Sequence, residues 1–276
     1  MKRLDSIKNA PIGVFDSGVG GLTVAREIMR QLPKEKLVYF GDTARVPYGS
    51  KSQTTIIRYT KQIVRFLQTK QVKAIVVACN TASAFALEEV ASTLDIPIIG
   101  VVKPGAKVAA ETTKNGKIGV IGTEGTIDSK IYTRVIHQQN EKAQVLGKAC
   151  PLFVPLVEEG WLNDPVTVQV AQRYLAPLID TGIDTLIMGC THYPLIRSTI
   201  QEVLGEGVQL INPAYETART LKQLLIEQDL LNKEDGFSKN QYEFYVSDAA
   251  EKFMKFADSI LPYDVDTTKL IPIEEY

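Results

Sequence analysis

Ala74-Ile75-Val76-Val77-Ala78-Cys79-Asn80-Thr81-Ala82 is the stretch whose reading decides the fold. Five small or β-branched apolar residues in a row suit a strand buried on both faces, which is the signature of a parallel sheet. The run stops at a cysteine and two short polar residues. The same shape returns at Thr185-Leu186-Ile187-Met188-Gly189-Cys190-Thr191-His192-Tyr193. In open α/β sheets, ligands bind outside the carboxyl ends of strands. Two thiols at two such ends are therefore expected to face one cleft from opposite sides.

Working outward, residues 11–15 form a strand that leads into Asp16-Ser17-Gly18-Val19-Gly20-Gly21 and a helix over 22–32. This glycine-rich turn reads either as an anion site at a helix N-terminus or as a tight structural turn. It is neither a P-loop nor a complete dinucleotide fingerprint. A strand over 37–40 opens into a polar loop holding Pro47-Tyr48-Gly49-Ser50, and a helix covers 53–69. The Cys79 strand and a helix over 81–94 follow. Strand, polar turn and helix thus alternate through the first hundred residues, which predicts a parallel sheet with helices packed on it.

Ile96-Pro97-Ile98-Ile99-Gly100-Val101-Val102 is read as the start of a second unit. It continues through a short helix at 108–110, a strand over 117–122, a helix over 127–138 and a strand over 143–149. An irregular apolar segment over 151–161 and a helix over 166–179 precede the Cys190 strand, and 208–211 closes the unit. A long helix from 214 to 231, a mobile polar loop over 232–240, a strand over 241–247 and a helix over 249–260 complete the pattern.

The bulk composition is that of a soluble globular protein. The chain has 276 residues, 45% hydrophobic and 23% charged, with a net charge of −1. No Lys/Arg cluster gives a footprint for nucleic acid or an anionic membrane. The start of the chain lacks a signal-length apolar stretch, and no run approaches the roughly 18 residues of a membrane span. The expected location is the cytoplasm. Three cysteines and two histidines, widely spaced, offer neither a disulfide framework nor a metal-binding pattern.

Free cysteine is by default a small buried hydrophobe, and Cys150 reads that way. Cys79 and Cys190 differ because each ends a strand and precedes hydrogen-bond donors at an expected helix start, where a thiol pKa falls below about 8.5. His192, beside Cys190, is a candidate proton manager. If the first strand lies next to the Cys79 strand, the Asp16 carboxylate reaches the thiol region. Of Glu158 and Glu159, at least one reads as solvated. Opposed thiols without a metal suit inversion of a carbon stereocentre, which needs a proton taken from one face and another delivered to the opposite face. A redox dithiol would want adjacent sulfurs. A non-catalytic amino-acid or anion binding module remains a further reading.

Residues 13–21, Pro47-Tyr48-Gly49, Cys79-Asn80-Thr81-Ala82, Gly122-Thr123-Glu124-Gly125-Thr126, Pro155-Leu156-Val157-Glu158-Glu159-Gly160 and Cys190-Thr191-His192-Tyr193-Pro194, in this order, resemble the glutamate racemases of the aspartate/glutamate racemase family. The resemblance implies interconversion of L- and D-glutamate without a cofactor, supplying D-glutamate for peptidoglycan. It implies a homodimer of two-domain α/β chains: two similar, pseudo-twofold-related domains, each a mainly parallel sheet flanked by helices, with the active site between them. The first domain takes residues 1–99 with 213–276, and the second 100–212. Cys79 and Cys190 would act on the two faces of the α-carbon, assisted by Asp16 and by His192 with Glu158. Asp16, Ser17, Tyr48, Gly49, Asn80, Thr81, Thr123, Thr191 and His192 would bind the amino acid. The short segment before the first strand argues against regulation by a cell-wall precursor, known for some extended members.

Overall fold

A computed structural model describes residues 7–233, 241–262, 265 and 268–276, so most of the loop expected to be mobile, residues 234–240, lies outside the described residues. The chain alternates as anticipated. It runs β1 (Ile12–Asp16), α1 (Leu22–Gln31), β2 (Leu37–Gly41), α2 (Gln53–Thr69), β3 (Ala74–Val77), α3 (Asn80–Phe85), α4 (Leu87–Ala91), β4 (Ile98–Gly100) and α5 (Val102–Thr112). It continues with β5 (Lys117–Gly122), α6 (Glu124–Asp128), α7 (Ile131–His137), β6 (Gln144–Ala149), α8 (Phe153–Glu158), α9 (Pro165–Ile179) and β7 (Thr185–Gly189). A 3₁₀ turn (Tyr193–Ile196), α10 (Arg197–Leu204), β8 (Gln209–Ile211), α11 (Pro213–Glu227), β9 (Tyr242–Val246), α12 (Ala250–Ile260) and β10 (Thr268–Leu270) follow.

All pairings are parallel, and they make two sheets, ordered β10-β9-β2-β1-β3-β4 and β6-β5-β7-β8. In each, the first strand of the unit lies between the second and third, so the chain reverses its direction of progress across the sheet there. Such a switch point opens a crevice at the carboxyl ends of the first and third strands. In the first sheet those ends lead to Asp16 and Cys79, and in the second to Thr123 and Cys190. Repetition of one topology thus puts both thiols at equivalent crevices.

Successive strand residues serve opposite faces. Val14 packs with Leu22, Ile28, Leu221 and Phe253 from α1, α11 and α12, while Phe15 packs with Ile56, Ile63 and Leu67 from α2. In the second sheet Ile121 and Met188 meet α9 and α10, and Val120 and Ile187 meet α5 and α7. Each large apolar side chain so buried stabilises by roughly 1.5–3 kcal/mol relative to exposure. Helix α11 packs on both α1 and α5, and so joins the layers of the two sheets. No helix among the described residues is long and apolar enough to cross a membrane.

The structure differs from the sequence reading in identifiable places. The stretch expected to open the second unit instead supplies β4, which pairs with β3 at the edge of the first sheet. The expected helix over 81–94 breaks at Ala86 and that over 127–138 at Lys130, which adopts φ +52°. The apolar segment around Pro155 is helical, and the helix expected at 108–110 starts at Val102 and includes Pro104. Both prolines sit in a first turn, where the missing N–H has no intrahelical partner to lose. Local pattern alone understates such helices.

Candidate active site

The two crevices face each other across one cavity of about 200 Å³. Ser17, Tyr48, Gly49, Asn80, Thr81 and Cys79 line it from the first half. Thr123, Glu158, Cys190, Thr191 and His192 line it from the second. Asp16 is fully buried and outside the lining.

Asp16 ends β1, and β1 runs beside β3, with the Ala78 N–H donating to the Phe15 carbonyl at 2.8 Å. Its Oδ2 accepts the N–H groups of Gly18 (3.1 Å) and Gly21 (2.9 Å), while Oδ1 has no hydrogen-bond partner. The glycine turn therefore spends these donors on its own aspartate rather than on an external anion. Burial raises the Asp16 pKa, opposed by the His192 charge and the turn's N–H groups. A raised carboxyl pKa makes a stronger base once ionised.

Cys79 is the N-cap of α3, its sulfur accepting the Ala82 N–H at 3.5 Å and donating to Ser17 Oγ at 3.8 Å. The expected lowering of its pKa is reversed: burial first, then the Asp16 charge, pushes the thiol up to about 12. Helix α3 has only six residues. Its end partial charge is too small to offset removal from water. Cys79 in the resting protein is a thiol that can give a proton.

Cys190 also departs from expectation. It is followed not by an α-helix but by the 3₁₀ turn, with His192 at its N-cap. Its charge partner is a side chain instead: His192 Nδ1 lies 3.8 Å from the sulfur. His192 Nε2 lies 3.0 Å from Glu158 Oε1, whose other oxygen is 3.8 Å from Lys252 Nζ on α12. Burial pushes the His192 pKa down, but the bonds and charges of Cys190 and Glu158 together prevail and raise it to about 10. Hydrogen bonding to His192 holds the Glu158 carboxyl below its ordinary range. The second wall thus carries an imidazolium between sulfur and carboxylate, while the first carries a neutral thiol.

Between the walls lies a ring of hydroxyls. Thr81 Oγ1 is 2.9 Å from Thr123 Oγ1 and 3.2 Å from Thr126 Oγ1, and Thr123 is 3.1 Å from Thr126. Thr126 is not a candidate site residue in the sequence; it is buried outside the cavity lining, with its N–H donating to the N-cap Thr123 Oγ1 at 3.3 Å. Tyr48 lines the cavity, but its hydroxyl donates to Asp42, again unforeseen. Gly20 packs where a Cβ would come within 2.4 Å of Thr191 Oγ1 and 2.5 Å of the His192 ring. The first half's glycine turn is therefore seated on the second half's cysteine loop. Among the described residues no His, Cys, Asp and Glu side chains group to hold a metal ion.

Paired parallel sheets whose switch points share one cavity, each contributing a thiol, define an α/β class of protein with its candidate site between two similar halves. The family model of the Asp/Glu/hydantoin racemases matches residues 12–221, and the chain belongs to that family. Among its relatives, the glutamate racemase of Geobacter metallireducens is 49% identical over 250 residues, covering 91% of this chain and 92% of that one. The crystal structure of a glutamate racemase isoform from Bacillus anthracis superposes with a TM-score of 0.90 at 42% identity, covering 96% and 98% of the two chains. That of the Francisella tularensis glutamate racemase in complex with D-glutamate gives 0.90 at 40%, covering 98% and 100%.

Proposed function

We propose that this chain racemises glutamate with Cys79 and Cys190 as opposed acid/base groups, providing D-glutamate for peptidoglycan in the cytoplasm as a homodimer. The observation that carries the catalytic reading is the placement of the two thiols on facing walls of one cavity. In one direction the Cys190 thiolate, paired with the His192 imidazolium, takes the α-proton of L-glutamate. The C–H electron pair moves onto the α-carboxylate as an enediolate-like charge. The Cys79 thiol then delivers its proton to the opposite face, leaving a Cys79 thiolate and a Cys190 thiol. The reverse reaction exchanges the roles, with the Asp16 carboxylate, whose charge acts on Cys79 from outside the lining, as the base that assists Cys79, and His192 as the acid that supports Cys190.

The α-proton of a zwitterion is a poor acid, so the developing charge needs donors already in place. Ser17, Asn80, Thr81, Thr123 and Thr191 line the cavity and supply them. Placed there, they support a substrate with two carboxylates and an ammonium. Thr81→Val is expected to lower kcat by about ten- to a hundredfold.

The test is L-glutamate with purified protein in heavy water without added cofactor, followed by NMR and a chiral assay, after checking the protein for bound pyridoxal phosphate. Loss of the α-proton signal with appearance of D-glutamate is the expected result. Exchange without inversion sinks the two-thiol scheme. Folded protein that leaves glutamate untouched but exchanges aspartate moves the substrate to that amino acid. Cys79→Ala and Cys190→Ala are each expected to abolish racemisation, whereas a binding module would survive either.

A further inference from the structure

Asn80 lines the cavity with a carboxamide whose two ends have opposite chemistry, since the oxygen only accepts and the nitrogen only donates. Which end faces the substrate decides whether Asn80 helps or opposes charge on a carboxylate. Tyr132, on α7 of the second half, reaches across to it, its hydroxyl donating to Asn80 Oδ1 at 2.6 Å. Both side chains are buried, Tyr132 at 3% and Asn80 at 5% exposure. With the oxygen held, the nitrogen is the end left for the cavity.

Gly189, the residue before Cys190, leaves room for the ring: a Cβ there would come within 2.7 Å of the Ile121 carbonyl oxygen and 3.2 Å of Tyr132 Cε2. Burial, and then the negative charge of Cys190, raises the phenol pKa, so Tyr132 keeps the proton it donates. A buried hydrogen bond between side chains of the two halves also links the setting of Asn80 to their approach.

We propose that Tyr132 is a positioning residue for the reaction, fixing the Asn80 carboxamide with Nδ2 toward the substrate so that it donates to the α-carboxylate as charge builds there. Without the bond the amide turns over, and its oxygen competes for the place facing the carboxylate. The inference rests on the racemase reading, and wild-type protein in the same assay tests that reading separately.

The experiment compares Tyr132→Phe, Asn80→Ala and the double variant in full-length protein, with kcat and KM measured from both enantiomers. Tyr132→Phe is expected to lower kcat by about ten- to a hundredfold while KM moves by less than about threefold, as for an interaction that strengthens in the transition state. If Tyr132 acts through Asn80, the double variant is no slower than Asn80→Ala. A wild-type kcat in Tyr132→Phe, or losses that multiply in the double variant, overturns the assignment. Should Tyr132→Phe fail to fold, wild-type protein decides. The Asn80 side-chain NH₂ resonances, assigned by their loss in Asn80→Asp, are expected to shift on saturation with D-glutamate. Resonances that stay in place overturn the proposal.

Discussion

His192 is where the electrostatics of the second wall converge, because both of its ring nitrogens are engaged and it is only 6% exposed. Its pKa in the fold, about 10, lies above the ordinary 6.5. A raised cationic pKa stabilises the fold fully below the unfolded value, and this contribution is lost as pH rises through the folded one. The stability gap between wild type and His192→Asn should therefore shrink as pH rises from 6.5 toward 10. Chemical denaturation across that range checks it, and a constant gap contradicts the pairing. Cys150 has a different position. It is fully buried in the second core, and it is the backbone carbonyl, not the sulfur, that accepts the Tyr193 hydroxyl at 2.8 Å. Cys150→Ala should cost about 1 kcal/mol of stability, with turnover retained. Loss of turnover in folded protein would assign the sulfur a role in the site.

At the scale of elements, the two cysteine loops carry the same kind of residue by different means. Cys79 caps a short helix, whereas Cys190 precedes a 3₁₀ turn and relies on His192. This difference was illegible in the sequence, since a strand followed by small polar residues reads the same in both places. The glycine turn was legible as a turn, but only the packing shows why Gly20 must lack a side chain. Gly20→Ala would push on the side chains of Thr191 and His192, which line the cavity, rather than on backbone. A displacement of about 1 Å can cost a hundredfold in rate. We expect kcat/KM to fall at least about tenfold while the melting temperature changes by only a few degrees. Equal activity in Gly20→Ala would mean that the loops tolerate separation.

Across the whole molecule, the site occupies the carboxyl ends of the strands and a buried ion pair lies at the opposite end of the first sheet. Lys73 Nζ is 2.6 Å from Glu35 Oε2, and both residues are buried. Lys73 also donates to the Leu230 carbonyl at 2.8 Å, and Glu35 Oε1 accepts the Asn232 N–H at 2.8 Å. The pair thus fastens the end of the long helical stretch, shortly before β9, to the sheet that β9 joins. Lys73→Met leaves a buried carboxylate uncompensated and should destabilise by about 3–5 kcal/mol. Lys73→Met with Glu35→Leu should recover part of that loss, and kcat should be unaffected in both variants. Urea unfolding and turnover, measured together, check this separation.

The sequence by itself determined the strand–helix alternation, the parallel character of the sheets and the two cysteine-bearing strand ends. Those properties follow from local periodicity and from the burial of whole strands, and each can be read within a window of a few residues. Only the tertiary structure decided that β4 belongs to the first sheet, that Asp16 is buried outside the cavity lining, that burial raises the Cys79 pKa, and that Tyr132 bonds to Asn80. Strand partners, desolvation and hydrogen bonds between distant residues depend on what lies across the fold. Tyr132 and Asn80 are far apart in the chain, and no local pattern records that they meet.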